Sequence, residues 1–128
     1  MIWNHGTTET KAEHILKNGF MFQSEEHGMW GRGIYLSSKP EDAYNYGNTI
    51  LQTQILMDNI VSLQYKDIVH IIPELLVDEE AGDPYLETYI TKEMGKDAVA
   101  ITYEDGITHL VVYKPESIPC ESITLKNM

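Results

Sequence analysis

Cysteine is almost missing from this chain of 128 residues: Cys120 stands alone, so no internal disulfide can form. A lone thiol fits a reducing compartment, and cytoplasm is the expected location. Arginine is equally scarce, with Arg32 its one occurrence. No apolar run approaches the roughly 20 residues that a membrane helix needs. Met1-Ile2-Trp3-Asn4 has neither the basic start nor the apolar stretch of a signal peptide. Positive charge is the largest deficit: nine Lys and Arg face twenty Asp and Glu, a formal net charge of −11. Such a surface repels phosphate backbones, which argues against a nucleic-acid partner, and it favours basic proteins. Solubility alone would also explain it. His14, His27 and His70 share no metal-ligand spacing with Cys120 or one another, so no metal is expected. The glycines spell no phosphate-binding fingerprint, and no serine-histidine-acid order is readable.

What is present describes one α+β domain over residues 1–128, with 42% hydrophobic and 23% charged residues. Residues 1 to 6 read as a strand. Thr7 or Thr8 caps a helix carrying Ala12, Ile15 and Leu16, closed by Gly19. Phe20 and Phe22 alternate like a short strand, and residues 23 to 30 form a loop. Strands are expected over 49–56 and from Ile60 to Tyr65. A helix is expected over 66–77, interrupted near Pro73, with Ile68, Val69, Ile71, Ile72, Leu75 and Leu76 mostly buried. An acidic loop at 78–83 leads to a helix capped by Asp83, with Pro84 at its first position and Gly95 at its end. Ala98 to Tyr103 and Thr108 to Tyr113 make a hairpin about Asp105-Gly106, and a last strand falls near Ile123.

The most informative stretch is 31–47. Gly31 and Gly33 flank Arg32, and Ile34-Tyr35-Leu36 reads as a strand. Ser38 and Glu41 spell a capping box with Pro40 in the first turn. The helix runs through Asp42, Ala43, Tyr44, Asn45 and Tyr46 to Gly47. A strand tyrosine is thus followed eleven residues later by a helix tyrosine, and two such rings can bound a slot one aromatic molecule wide. His5-Gly6-Thr7, at the end of the first strand, can bring a further polar group to it.

Together these three pieces resemble the ADP-ribosyltransferase superfamily, in the branch of diphtheria toxin and the poly(ADP-ribose) polymerases. That branch carries His-Gly-Thr/Ser on its first strand, here His5, Gly6 and Thr7, then a strand tyrosine and a second tyrosine at this spacing, here Tyr35 and Tyr46. The resemblance implies two small sheets packed face to face with flanking helices and a central NAD cleft. It implies NAD as co-substrate, a protein acceptor and no membrane, as in a small phage or bacterial effector. Cleaving the nicotinamide–ribose bond expels a neutral leaving group, so the site must hold nicotinamide and stabilise an oxocarbenium-like sugar. By the resemblance, Tyr35 and Tyr46 stack on nicotinamide, the Gly6 main chain fixes its carboxamide, and His5 bonds the adenosine ribose with Thr7 assisting. Ala43 stands where the polymerases carry serine and diphtheria toxin alanine. Arg32 is a candidate for the diphosphate or, equally, a solvated loop residue.

The departure lies in the late strand Ile107-Thr108-His109-Leu110-Val111-Val112-Tyr113. His109 falls where the superfamily usually has a catalytic glutamate. A neutral imidazole can accept from the ribose hydroxyl but lacks a full negative charge. Glu104 or Asp105, in the adjoining turn, is the nearest carboxylate in sequence, and small phage ADP-ribosyltransferases with anti-CRISPR action carry an acidic cluster just before this strand. The expected activity is mono-ADP-ribosyl transfer, with polymer synthesis disfavoured. The alternatives are an NAD glycohydrolase, transfer to a drug or other small molecule, and an inactive module that binds NAD or ADP-ribose.

Overall fold

In the computed structural model the described residues are 2–21, 30, 32–54, 59–71 and 86–126. Strand β1 (Ile2–Thr7) is followed by helix α1 (Glu9–Asn18), strand β2 (Ile34–Ser37) and the short helix α2 (Pro40–Ala43), which tightens into a 3₁₀ turn over Tyr44–Tyr46. Strand β3 (Thr49–Gln54), strand β4 (Ile60–Gln64) and helix α3 (Tyr65–Ile71) come next. After a π-helical turn, Tyr89–Glu93, the chain ends in β5 (Ala98–Thr102), β6 (Thr108–Val112) and β7 (Ile123–Leu125).

The strands form one seven-stranded sheet in the order β4-β5-β6-β2-β1-β3-β7. Every pairing is antiparallel except β4 with β5. The α+β class therefore stands, but two separate sheets do not appear: β1 bridges to β2 and joins the halves. That bridge is narrow. β1 follows β3 through six residue pairs, whereas it meets β2 only at Asn4↔Ser37. Buried Asn4 reinforces the joint, its Nδ2 donating to the Ser37 carbonyl at 3.0 Å and its Oδ1 accepting from Gln52 Nε2 at 2.8 Å.

Strand alternation divides the core. Ala98, Leu110, Val112, Ile34 and Leu36 pack with Ala12 of α1 and with Phe20, Leu51 and Ile123. Val99, Ile101 and Val111 turn to the other face and pack with Ile68 of α3, Trp30, Leu86, Ile90 and Tyr113. A period of two in β5 and β6 puts successive side chains on opposite faces, and helices cover both.

Local chemistry follows sequence in some places and departs in others. Thr8 caps α1, its hydroxyl accepting from Lys11 N, and Gly19 ends it at φ 83°. Gly106, at φ 86°, turns the β5–β6 hairpin as expected. The capping box at Ser38 does not form. Lys39 is the residue before α2, and Ser38 Oγ instead accepts from Thr108 N at 3.0 Å, while Ser38 N donates to the Thr108 carbonyl at 2.9 Å. Cross-strand bonding thus takes the hydroxyl that a local cap would use. Gly47 is extended rather than left-handed. It is glycine because a Cβ there would fall onto the Thr7 main chain. Phe20 is buried but outside any strand, and helix begins at Tyr65. Ile68 is buried as expected. The side chains of Val69 and Ile71, residues 72–77, the Asp83 and Pro84 cap, Phe22 and the loop before Trp30 lie outside the described residues. Among the described residues no helix is long and apolar enough to cross a membrane.

Leu110 is fully buried at the centre of the sheet. Leu110→Ala is expected to lower stability by about 2–5 kcal/mol through lost burial and a residual cavity. A smaller midpoint shift in urea, at unchanged slope, would show that this core relaxes more than its packing implies.

Candidate functional site

The joint between β1 and β2 leaves main-chain groups beyond it without a ladder. Lys126 N donates to the Ile50 carbonyl at 2.9 Å, so the Ile50 main chain faces β7. Opposed residues on antiparallel strands alternate between bonded and non-bonded pairs, and Gly6↔Ile50 is therefore non-bonded. It follows that the N–H and C=O of Gly6 turn away from β3 and toward β2. Asn4, two residues earlier, faces the same way and makes the bridge to Ser37. The pairing stops there. The Tyr35 carbonyl is taken instead by the His5 ring, with Nδ1 at 2.8 Å, and a carbonyl only accepts, so Nδ1 carries the hydrogen. The same ring meets Phe20 edge-on at 4.9 Å.

Helix α2 covers this opening. A Cβ on Gly6 would land on the Ala43 carbonyl, so the missing side chain lets α2 lie directly on β1. Gly47 does the same against Thr7 at the end of the turn. These two close approaches fix where Asp42 and Tyr46 stand. Tyr46 is 64% exposed, so it stands at the surface rather than in the core. Its phenol is nonetheless raised above the ordinary tyrosine range, first by partial burial and then by the Asp42 carboxylate.

The far wall is aromatic. Trp30 N donates to the Tyr35 hydroxyl at 3.2 Å and Trp30 Nε1 to the Tyr103 hydroxyl at 3.1 Å. Tyr113 donates its hydroxyl proton to the Trp30 carbonyl at 2.7 Å. Tyr103 stacks on Tyr65 at 5.2 Å and meets the His109 ring edge-on at 4.9 Å. His109 Nε2 lies 2.7 Å from Asp42 Oδ2.

Of the residues singled out by sequence, Gly6 lies under α2, Thr7 against Gly47, the His5 ring on the Tyr35 carbonyl and His109 on Asp42, with Tyr46 on the turn that follows α2. The Arg32 main-chain N–H donates to Glu87 Oε1 at 2.7 Å. Glu104 and Asp105 are exposed in the β5–β6 turn, and Asp105 Oδ1 accepts from Ile107 N at 3.0 Å, an ordinary turn bond. The carboxylate that meets His109 is Asp42, which sequence reasoning overlooked. Its spacing was a usable signal: Asp42 precedes Tyr46 by four residues and so shares its helix face. Tyr65 and Tyr103 were likewise not foreseen, since they come together only across the sheet. Two surface hollows, about 590 Å³ beside Phe20 and Cys120 and about 270 Å³ between Ala12, Tyr44 and Ile50, lie apart from His109 and Tyr46. Among the described residues no three His, Cys, Asp or Glu side chains gather as a metal site would require.

No family model matches the chain, and no curated protein matches it. Among solved structures, one titled "Crystal structure of an anti-CRISPR protein" is similar over 100% of this chain and 95% of its own, at 15% identity and a TM-score of 0.43.

Tyr103 is raised above the reference value of 10.0, chiefly by burial, with Tyr46, Tyr65 and Asp42 adding and the Trp30 bond opposing. Both Tyr46 and Tyr103 should ionise later than exposed tyrosines in an ultraviolet titration. Their pKa is higher folded than unfolded, so the stability they contribute is complete below pH 10 and is lost as pH rises through the folded values. Tyr103→Phe should remove one late phase. Ionisation of all tyrosines together, at the ordinary value, would contradict the burial argument.

Proposed function

We propose that this chain is a mono-ADP-ribosyltransferase that binds NAD at the opening between β1 and β2, releases nicotinamide and passes ADP-ribose to a protein acceptor. The observation that carries this reading is the orientation of Gly6. Its N–H and C=O, one donor and one acceptor side by side, face an interrupted ladder and match the complementary pair of a primary carboxamide. Tyr46 on the turn and Tyr35 on β2 border the same opening and supply aromatic surface for the nicotinamide ring. The two-sheet cleft implied by the resemblance corresponds, in this proposal, to the seam beyond Asn4↔Ser37 within a single sheet.

His5, bonded to the Tyr35 carbonyl, is the residue assigned to the ribose of adenosine. Arg32 is the cation assigned to the diphosphate. An oxocarbenium-like sugar needs negative charge nearby, and Glu104 or Asp105 supplies it by swinging in from the exposed turn. His109 adds a neutral acceptor. Water in place of the acceptor would make the same site an NAD glycohydrolase.

The direct test is nicotinamide release by the purified protein, with and without a cell lysate, followed by identification of any protein labelled from NAD. Tyr35→Ala or Tyr46→Ala should weaken NAD binding by about 0.5–1.5 kcal/mol beyond lost area, with folding retained. His5→Ala should lower NAD affinity more than thermal stability. Asp105→Asn or Glu104→Gln should reduce turnover while leaving NAD binding intact. Full activity in both acidic variants would remove the turn from the mechanism, and absence of NAD binding by the parent would remove the whole reading.

A further inference from the structure

We propose that Asp42 and His109 act together as a base that deprotonates a hydroxyl acceptor, so that the site transfers ADP-ribose to an alcohol oxygen; this rests on the NAD-cleaving reading above. The pair is 2.7 Å apart, with the His109 side chain 25% exposed and that of Asp42 15%. It joins residues 67 positions apart in sequence, so only the fold creates it. An ionised carboxylate accepts and never donates, which puts the hydrogen of the imidazole on Nε2 and the lone pair on Nδ1. Among the described residues Nδ1 makes no hydrogen bond. A lone pair held in place, with a carboxylate ready to balance the imidazolium, is the arrangement a general base needs.

A purely structural tie explains the pair less well. Helix α2 is already seated on β1 at Gly6 and Gly47, and Ser38 already makes two bonds to Thr108 of β6. The pair sits instead beside Tyr46, whose phenol feels the Asp42 charge, and its imidazole touches Tyr103. It therefore stands at the edge of the opening to which the Gly6 main chain is turned.

The step balances as follows. The bond between ribose C1′ and nicotinamide nitrogen breaks, and its electron pair leaves with neutral nicotinamide. The acceptor oxygen bonds to C1′, its proton passes to His109 Nδ1, and the imidazolium, held by Asp42, returns that proton to water. A carboxylate acceptor has no proton to give and would meet the Asp42 charge, so the pair disfavours carboxylates and suits a neutral acceptor that carries a proton, as a hydroxyl does. His109 is the catalytic residue in this account, and Asp42 is a positioning residue that acts through it.

Nucleophiles with and without a proton separate the roles. NAD is incubated with the full chain and either methanol or azide, and both nicotinamide and the trapped ADP-ribosyl product are measured. His109→Gln should lower methyl ADP-riboside formation by about 10²-fold or more, the usual worth of a positioned base, and ADP-ribosyl azide formation far less. Asp42→Asn, which keeps an oxygen to accept from Nε2, should give a smaller fall with methanol than His109→Gln does, and again a lesser one with azide. Equal losses with both nucleophiles would mark a structural tie and overturn the proposal. Undiminished methanol transfer by His109→Gln, in a parent that does release nicotinamide, would overturn it while leaving the NAD reading standing. A parent that releases no nicotinamide with either nucleophile would overturn the NAD reading, and this proposal with it.

Discussion

A single residue pair, Asn4↔Ser37, holds the two halves of the sheet together, and the arrangement of the site depends on it ending there. Asn4 is bound on both flanks, to Ser37 on β2 and to Gln52 on β3, so β1 cannot drift toward either neighbour. Two residues later the same edge of β1 presents Gly6 to a gap. Continued pairing would give the Gly6 main chain to Tyr35 and leave nothing for a ligand. The His5 ring, by occupying the Tyr35 carbonyl, keeps that pairing from closing. The cost of main-chain groups without a ladder is acceptable only where water or a ligand meets them.

Glycine at positions 6 and 47 has a second consequence. Both residues are contact points where backbone lies on backbone, and together they lay α2 and the following turn across the end of β1. A side chain at either point would lift the turn and carry Asp42 and Tyr46 away from His109 and Tyr103. Gly6 thus serves packing through its missing Cβ, and in the proposed function it serves recognition through its N–H and C=O. These uses engage different directions around one α-carbon and do not compete.

Much of this was legible in sequence. The first strand, the helix capped at Thr8 and the hairpin at Asp105-Gly106 depend on neighbours a few residues apart, where periodicity and turn chemistry act. That His5 lies next to β2, and that α2 and its turn lie on β1, was legible only through the spacing of three motifs. What escaped notice depends on partners distant in sequence. Ser38 bonds across the sheet to Thr108 instead of capping its helix, Asp42 finds its partner at His109, and Trp30 links Tyr35 to Tyr103. The expected pair of sheets became one because Asn4, an unremarkable polar residue in sequence, bridges them.

The central claim is that the Gly6 main chain receives the nicotinamide carboxamide. Nuclear magnetic resonance of the isotopically labelled protein, titrated with NAD, reads that amide directly. The account predicts that the Gly6 N–H signal moves saturably and by more than the amides of β4 or β7, together with ring signals of Tyr35 and Tyr46. A Gly6 signal that stays in place at NAD concentrations saturating other shifts would contradict it.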